Sequence, residues 1–130
     1  MMCRIMERKR VVIAGCRYYN ERDEFNTFVD ETLKIIGSDI TILSGHCSGV
    51  DTMAEMYADE HGLPIEIFKP DWKRYGRGGG PVRNKQMIES CDVVIAFWDG
   101  VSRGTKNLLE PAEKYNRRIF IFYISTEKLQ

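Results

Sequence analysis

Short runs of β-branched and aromatic residues alternate along the chain with segments whose apolar residues recur every three or four positions. The short apolar runs predict five strands, at residues 10–14, 40–43, 64–68, 92–98 and 118–124. The amphipathic segments predict four helices, at residues 21–36, 50–58, 82–90 and 105–116. Gly62 stands where the second helix would end, and Pro111 interrupts or restarts the fourth. The tail 125–130 shows neither pattern and is predicted to be unstructured.

Strands that alternate with helices predict a doubly wound, Rossmann-like α/β domain with a parallel sheet and helices on both faces. Parallel neighbours need crossover connections, and the predicted helices supply them. The continuous apolar character of the fourth and fifth strands suits strands covered on both sides. The favoured strand order is 3-2-1-4-5, with 2-1-3-4-5 as the alternative. We expect residues 1–130 to form one domain, since 43% of the residues are hydrophobic and no linker or repeat interrupts the chain.

Charge and cysteine content narrow the class of partner. Nineteen basic and nineteen acidic side chains cancel, which argues against wholesale binding to duplex DNA or an anionic membrane, so we do not expect a nucleic acid as the main partner. Positive residues near the start precede no apolar run, so we expect no signal peptide, and no stretch approaches a membrane span. The four cysteines are Cys3, Cys16, Cys47 and Cys91, and they do not have the spacing of metal ligands. We therefore expect no bound metal or cofactor, and we expect free thiols in the cytoplasm.

Unusual residues concentrate in the loops that follow the strands. The first four strands are followed by AGCRYYNER, SGHCSGVD, PDWKRYGRGGGPVRN and WDGVSRGT, whereas the connections at the opposite edge are plain. Ligands of doubly wound sheets bind outside the carboxyl ends of the strands, near the point where the strand order reverses. This asymmetry therefore predicts a ligand site at that edge.

The loops after the second and fourth strands carry glycine and lead into helices. Backbone N–H groups and the helix dipole then point at the strand ends and attract a phosphate or carboxylate. Ordinary helix caps, including Ser48 or Asp51, explain these loops equally well. By default Asp51 orients a ligand and Asp99 anchors its loop. The residues predicted to contact a ligand here are Ser44, Gly45, Ser48, Gly49, Asp51, Asp99, Gly104 and Thr105.

The loop after the third strand is the longest, about a dozen residues, which is uncommon unless a loop is functional. Its glycines predict a backbone that closes over a phosphate, and Arg83 and Asn84 would then contact the phosphate and a base or ribose. Trp72 either stacks on a base or packs the loop down, and the second reading is slightly favoured. The predicted ligand-binding residues of this loop and of the first are Gly15, Arg17, Trp72, Tyr75, Gly79, Gly80, Arg83 and Asn84. Arg17 has an ordinary surface arginine as its alternative.

A nucleophile is not predicted. His46 and Cys47 are adjacent and point in different directions, and His61 lies at the far end of the following helix. Carboxylates at motif spacing are also absent, so the acid or base candidates are only Asp51, Asp99 and Glu110.

Four stretches of the chain, taken together, resemble the SLOG superfamily, most closely its YspA-like, cpYpsA-related branch. These stretches are VVIAGCR, SGHCSGVD, PDWKRYGRGGGPVRNKQM and DVVIAFWDGVSRGT. More distant relatives are the LOG phosphoribohydrolases, DprA and the molybdenum-cofactor carrier proteins. The resemblance covers almost the whole chain. It implies a Rossmann-like fold, a nucleotide-derived ligand at the strand ends, a sensing or processing role and a homodimer.

The resemblance implies binding more strongly than catalysis. LOG enzymes carry a catalytic glutamate two or three residues after the threonine of their glycine–threonine turn, where this chain has Asn107 and Leu108. The nearest glutamate, Glu110, is five residues after Thr105, on another side of the helix. Three functions stay open: binding of a nucleotide-derived ligand, which leads, N-glycosidic hydrolysis of a nucleotide, and DprA-like binding of single-stranded DNA. For the last, Arg74, Arg77 and Arg83 would contact phosphates and Trp72 a base.

Overall fold

A computed structural model of the chain describes residues 8–125. Its eleven elements are β1 Lys9–Gly15, α1 Arg22–Ile36, β2 Ile40–Ser44, α2 Val50–Glu60, β3 Ile65–Ile67, α3 Trp72–Tyr75, a 3₁₀ turn Gly76–Gly78, α4 Gly79–Ser90, β4 Val93–Trp98, α5 Arg103–Lys114 and β5 Arg118–Tyr123. All five predicted strands and all four predicted helices are present. Cys3 and nearly all of the predicted unstructured tail lie outside the described residues. Within them, no helix is both long and apolar enough to cross a membrane.

The five strands form one parallel sheet in the order β3-β2-β1-β4-β5, which confirms the favoured order and the Rossmann-like fold. β1 lies in the centre and pairs with β2 and with β4. The chain proceeds outward from β1 to β3 and then returns to β4, so strand order reverses between β1 and β4. The carboxyl ends of these two strands therefore define the switch point at which such sheets bind ligands.

Alternating residues of the central strands fill two separate cores, because successive side chains of a strand point to opposite faces. Val11 and Ile13 of β1 belong to the core beneath α1 and α2, and Val12 belongs to the core beneath α4 and α5. Phe97 of β4 stacks on Phe25 of α1 with ring centroids 4.9 Å apart. Both faces of the central strands are therefore buried, which fixes the loops at their ends.

β5 and α5 differ from the sequence-based expectations. The apolar run of β5 suggested a strand covered on both sides, but its four central residues are only half-buried, at the edge position that the favoured strand order predicts. Hydrophobic composition alone does not distinguish a central from an edge position. α5 continues unbroken through Pro111, and the carbonyl of Pro111 accepts a hydrogen bond from the amide of Tyr115 at 2.9 Å. Packing of α5 on the sheet therefore offsets the helical hydrogen bond that is lost because proline has no backbone N–H.

Candidate functional site

A cavity of about 330 Å³ lies at the switch point, between the carboxyl ends of β1 and β4. The loop after β1, the start of α2, the inner face of α4 and the start of α5 form its wall. The lining residues are Ala14, Gly15, Cys16, Arg17, Tyr18, Cys47, Asp51, Arg83, Asn84, Met87, Ser102, Arg103, Gly104, Thr105 and Leu108. Residues from four separate sequence regions therefore meet where the topology predicts a ligand.

The amino terminus of α5 faces this cavity without a side-chain cap. The first N–H groups of a helix have no acceptor inside the helix, and Ser102 at the N-cap position does not bond them. Its hydroxyl instead donates to Oδ2 of Asp99 at 2.6 Å. The uncapped N–H groups and the helix dipole leave a positive end at Arg103 and Gly104, which line the cavity.

Asp99 holds the loop that positions this helix terminus. Its Oδ1 accepts hydrogen bonds from the amides of Val101 at 2.9 Å and of Ser102 at 2.7 Å. Burial raises the pKa of Asp99, but the hydrogen bonds from Ser102 and Val101 outweigh burial and hold the pKa below its usual value. Asp99 does not line the cavity, and its contacts fit a loop anchor.

Arg83 of α4 is a buried cation in the cavity wall. Its Nη1 donates to the carbonyls of Gly45 at 2.6 Å and of Phe68 at 3.4 Å, and its Nε donates to Oδ1 of Asn84 at 2.9 Å. Among residues 8–125, no ion pair within 4.0 Å includes Arg83. The guanidinium is therefore oriented by neutral groups, and its charge has no carboxylate partner in direct contact.

Asp51 of α2 is a buried carboxyl in the same wall. Burial raises its pKa from 3.8 to about 6, although the hydrogen bond from the Cys47 amide and the charge of Arg83 act in the opposite direction. The Cys47 amide donates to Oδ2 at 3.1 Å. Asp51 thus occupies part of the turn that the sequence predicts for a bound anion, and it contributes a group that titrates close to neutral pH.

Four polar side chains in the cavity wall are almost completely buried. Their exposed fractions are 5% for Asp51, 7% for Arg83, 8% for Asn84 and 5% for Thr105. Asn84 donates to the carbonyl of Gly104 at 3.4 Å, whereas no hydrogen bond of the described residues includes the Thr105 hydroxyl. Polar groups are rarely buried without a function or a full set of partners. Their convergence makes the cavity the candidate site.

Seven of the sixteen predicted ligand-binding residues line the cavity: Gly15, Arg17, Asp51, Arg83, Asn84, Gly104 and Thr105. Ser44 and Ser48 lie outside it and serve the fold. The Ser44 hydroxyl donates to Glu55 at 3.2 Å, and the Ser48 hydroxyl donates to the carbonyl of Arg17 at 3.3 Å. Gly45 presents the carbonyl that Arg83 binds, and Gly49 packs against the loop after β1. Of the three carboxylate candidates, only Asp51 lines the cavity, since Glu110 is exposed elsewhere on α5.

The glycine-rich stretch is helical instead of the predicted loop. Residues 72–75 form α3, Gly76–Gly78 form a 3₁₀ turn, and α4 already begins at Gly79, whose φ is −60°. A Cβ on Gly79 would lie 2.9 Å from Cε3 of Trp72, so the glycine lets the indole lie against the helix. This packing accounts for Gly79, whereas a Cβ on Gly78 or Gly80 would lie 4.0 Å or 3.6 Å from its nearest neighbour and would fit. Trp72, Tyr75, Gly79 and Gly80 all lie outside the cavity.

Sequence reasoning did not single out several cavity residues. Tyr18 and Arg103 are exposed at the cavity wall, and Cys16, Cys47 and Ser102 complete it. Arg103 and Ser102 stand directly before the predicted Gly104, so the helix-start pattern could have identified them. Tyr18 follows Arg17 and carries no such signal. In the described part of the chain, no group of three or more His, Cys, Asp or Glu side chains is placed to hold a metal ion.

Comparisons with known proteins agree with this fold. The family model of the YspA, cpYpsA-related SLOG family matches residues 9–75, which include β1, β2 and the loops after them. The fold and the cavity thus define a Rossmann-like domain with a cavity at its switch point. The chain belongs to the YspA, cpYpsA-related SLOG family.

One curated relative and two solved structures extend this result. The Gene 61 protein of Mycobacterium phage D29 is 28% identical over 112 residues, covering 82% of this chain and 90% of that protein. DNA processing protein A (DprA) of Streptococcus pneumoniae has a TM-score of 0.70 at 20% identity, and the match covers 91% of this chain but only 51% of DprA. DprA of Helicobacter pylori has a TM-score of 0.68 at 21% identity, and the match covers 93% of this chain and 71% of DprA. The chain thus spans about half the length of the pneumococcal protein, and the TM-scores show that the proteins share a fold.

Proposed function

We propose that this domain binds a nucleotide or another nucleotide-derived, phosphate-bearing molecule in the cavity, as a sensor or a processing domain. The observation that carries the proposal is the buried guanidinium of Arg83, which lines the cavity without a carboxylate in direct contact. Burying a charge costs several kcal/mol, and the carboxyl of Asp51, whose pKa the charge of Arg83 lowers, lies beyond direct contact. A bound anion beside Arg83 would compensate for that cost.

The remaining lining groups favour phosphate as the anion. The uncapped start of α5 offers backbone N–H groups, and Arg17 and Arg103 add exposed positive charge at the same cavity. Hydrogen bonds from arginine and from backbone N–H groups to phosphate are charge-assisted and strong. Hydrolysis of an N-glycosidic bond is the alternative, and Asp51 would then be the acid or base.

Other features of this proposal stay predictions. A single nucleotide-binding domain over residues 1–130 and independence from metal and cofactor are predictions from the sequence, and a homodimer is what the family resemblance implies. The free thiols of Cys16, Cys47 and Cys91 fit the predicted cytoplasmic location.

Nucleotide binding is expected to raise the melting temperature of the purified protein, and Arg103→Ala is expected to weaken that binding about tenfold through loss of a charged hydrogen bond. The measurement is a thermal-shift screen with AMP, GMP, CMP, UMP, NAD and ADP-ribose, followed by calorimetric titration. A ligand at a hundred times its dissociation constant adds about 2.7 kcal/mol to stability. Arg77→Ala is the matched control, because Arg77 is exposed outside the cavity. The proposal fails if none of these compounds binds at millimolar concentration, or if both variants weaken binding equally.

Single-stranded DNA is the second candidate ligand, and one surface favours it. The segment Trp72–Arg77 exposes 55% of Trp72 and 40% of Tyr75, and it carries Lys73, Arg74 and Arg77. Bases stack on exposed aromatic rings while basic side chains contact the phosphates. DprA of H. pylori, which shares the fold, has been solved in a study of its single-stranded DNA binding mode. The balanced net charge alone therefore leaves a nucleic-acid partner open.

If this surface binds DNA, Trp72→Ala is expected to reduce affinity for a labelled oligothymidylate about tenfold, since stacking of one base contributes about 1–3 kcal/mol. Fluorescence anisotropy at several salt concentrations measures both the affinity and the number of phosphate contacts. Arg103→Ala would leave DNA affinity unchanged. Affinity without salt dependence, or equal in wild type and Trp72→Ala, would reject this candidate.

A further inference from the structure

Asp51 is a negative group in a wall that otherwise suits an anion. Among the residues that the structure describes, no other carboxylate lines the cavity. Its Oδ2 accepts the Cys47 amide at 3.1 Å, whereas no N–H or O–H group of residues 8–125 donates to Oδ1. Every fully enclosed polar side-chain atom in that range has a partner, so Oδ1 is reached by solvent. Because Asp51 is 5% exposed and lines the cavity, we place Oδ1 there, and the Cys47 thiol is a further hydrogen-bond donor to the same carboxyl.

A hydrogen-bonded network runs from the start of α5 to the Gly45 carbonyl, and Asp51 lies beside that far end. Asn84 bonds the carbonyl of Gly104 and accepts from Arg83, and Arg83 bonds the carbonyl of Gly45. A Cβ built on Gly45 would lie 2.7 Å from Nη1 of Arg83 and 3.1 Å from Oδ2 of Asp51. One arginine and one asparagine thus separate the carboxyl from the positive end of α5.

The start of α5 and the carboxyl of Asp51, at opposite ends of this network, require different chemical groups from one ligand. A phosphate suits the α5 terminus and is repelled by a carboxylate, so the ligand must present a hydrogen-bond donor to Asp51. In a nucleotide the sugar directly follows the phosphate, and its hydroxyl groups are the nearest donors. Acidic side chains also bind ribose hydroxyls in other doubly wound folds.

Building on the proposed function, we infer that the cavity is a ribose-phosphate subsite in which Oδ1 of Asp51 accepts a ribose hydroxyl and selects ribonucleotides over deoxyribonucleotides. The phosphate binds at the α5 terminus, and the base lies toward the exposed ring of Tyr18. This assignment separates the cavity from the surface at Trp72–Arg77, since DNA lacks the 2′-hydroxyl.

The test is calorimetric titration of the full chain with AMP, 2′-deoxy-AMP, 3′-deoxy-AMP and ribose 5-phosphate. We expect at least one deoxy compound to bind about tenfold more weakly than AMP, because a lost hydrogen bond to a charged acceptor has about this effect. Ribose 5-phosphate is expected to bind detectably without a base. Asp51→Asn is expected to reduce the difference between AMP and the deoxy compounds below about threefold while AMP still binds, because the variant relieves phosphate repulsion.

Glu110→Gln is the control, since Glu110 is exposed outside the cavity, and it should keep the full preference. Equal affinities of wild type for AMP and both deoxy compounds would overturn the ribose assignment but leave nucleotide binding intact. Absence of binding by all four compounds would overturn both proposals. A parallel loss of affinity for every compound in Asp51→Asn would show that Asp51 only maintains the fold.

Discussion

Replacement of Gly49 with alanine is expected to lower the free energy of unfolding by about 4 kcal/mol, which combines backbone strain and a steric clash. Gly49 has φ +75°, a conformation that residues with side chains rarely adopt. A Cβ there would lie 2.4 Å from the carbonyl oxygens of both Cys16 and Arg17. The loop after β1 and the start of α2 would have to separate, and both line the cavity.

Gly62→Ala provides the matched control for this substitution. Gly62 has a similar φ of +63°, but no heavy atom lies within 4 Å of the position that a Cβ would take there, so only backbone strain remains and a loss of about 1 kcal/mol is expected. Urea unfolding of wild type and both variants gives the comparison. Equal losses for the two variants would mean that the close approach of the two loops does not contribute to stability.

Asp51→Asn is expected to stabilise the protein above pH 7, by about 2–3 kcal/mol. The folded pKa of about 6 exceeds the usual 3.8, so the folded state binds the Asp51 proton more tightly than the unfolded state does. The contribution of Asp51 to the free energy of unfolding of the wild type is therefore largest below about pH 4. It falls as the pH rises to about 6, and it stays low at higher pH. Asparagine has no charge to bury and can still accept the Cys47 amide.

Urea unfolding at pH 4, 6 and 8 measures this difference. Asp59→Asn is the control, because Asp59 lies on the same helix and is exposed, and it should change stability little at any of these pH values. A gain for Asp51→Asn that is the same at pH 4 and pH 8 would contradict the account, since ionisation would then not be its cause. Together with Arg83, this carboxyl would be a case of stability given up for function.

Periodicity predicted the fold well because each element meets a strong local requirement. Val11, Val12 and Ile13 are buried on alternating faces, and the β-branched run shows this directly. The partial exposure of β5 was not predictable from its composition, because its sequence is as apolar as that of β4. Which strands become neighbours depends on crossover connections and long-range packing, so the sequence left two orders open, of which the structure confirms the favoured one.

The candidate site was predictable in its location but less so in its geometry. Helix starts after strands identified Asp51 and Gly104, because uncapped N–H groups follow from local sequence. The glycine run misled, since Gly79 serves the packing of Trp72. Burial of Arg83 could not be read from the sequence either, because its neutral acceptors are the backbone carbonyls of Gly45 and Phe68, which every sequence contains.

The most direct measurement for the central claim is an amide ¹H–¹⁵N titration of the protein with AMP. If the cavity binds the phosphate, the amide signals of Arg103, Gly104 and Thr105 shift in proportion to occupancy, while that of Gly62 at the far end of α2 does not. Shifts confined to Trp72–Arg77, or no shifts at millimolar AMP, would contradict nucleotide binding at the start of α5.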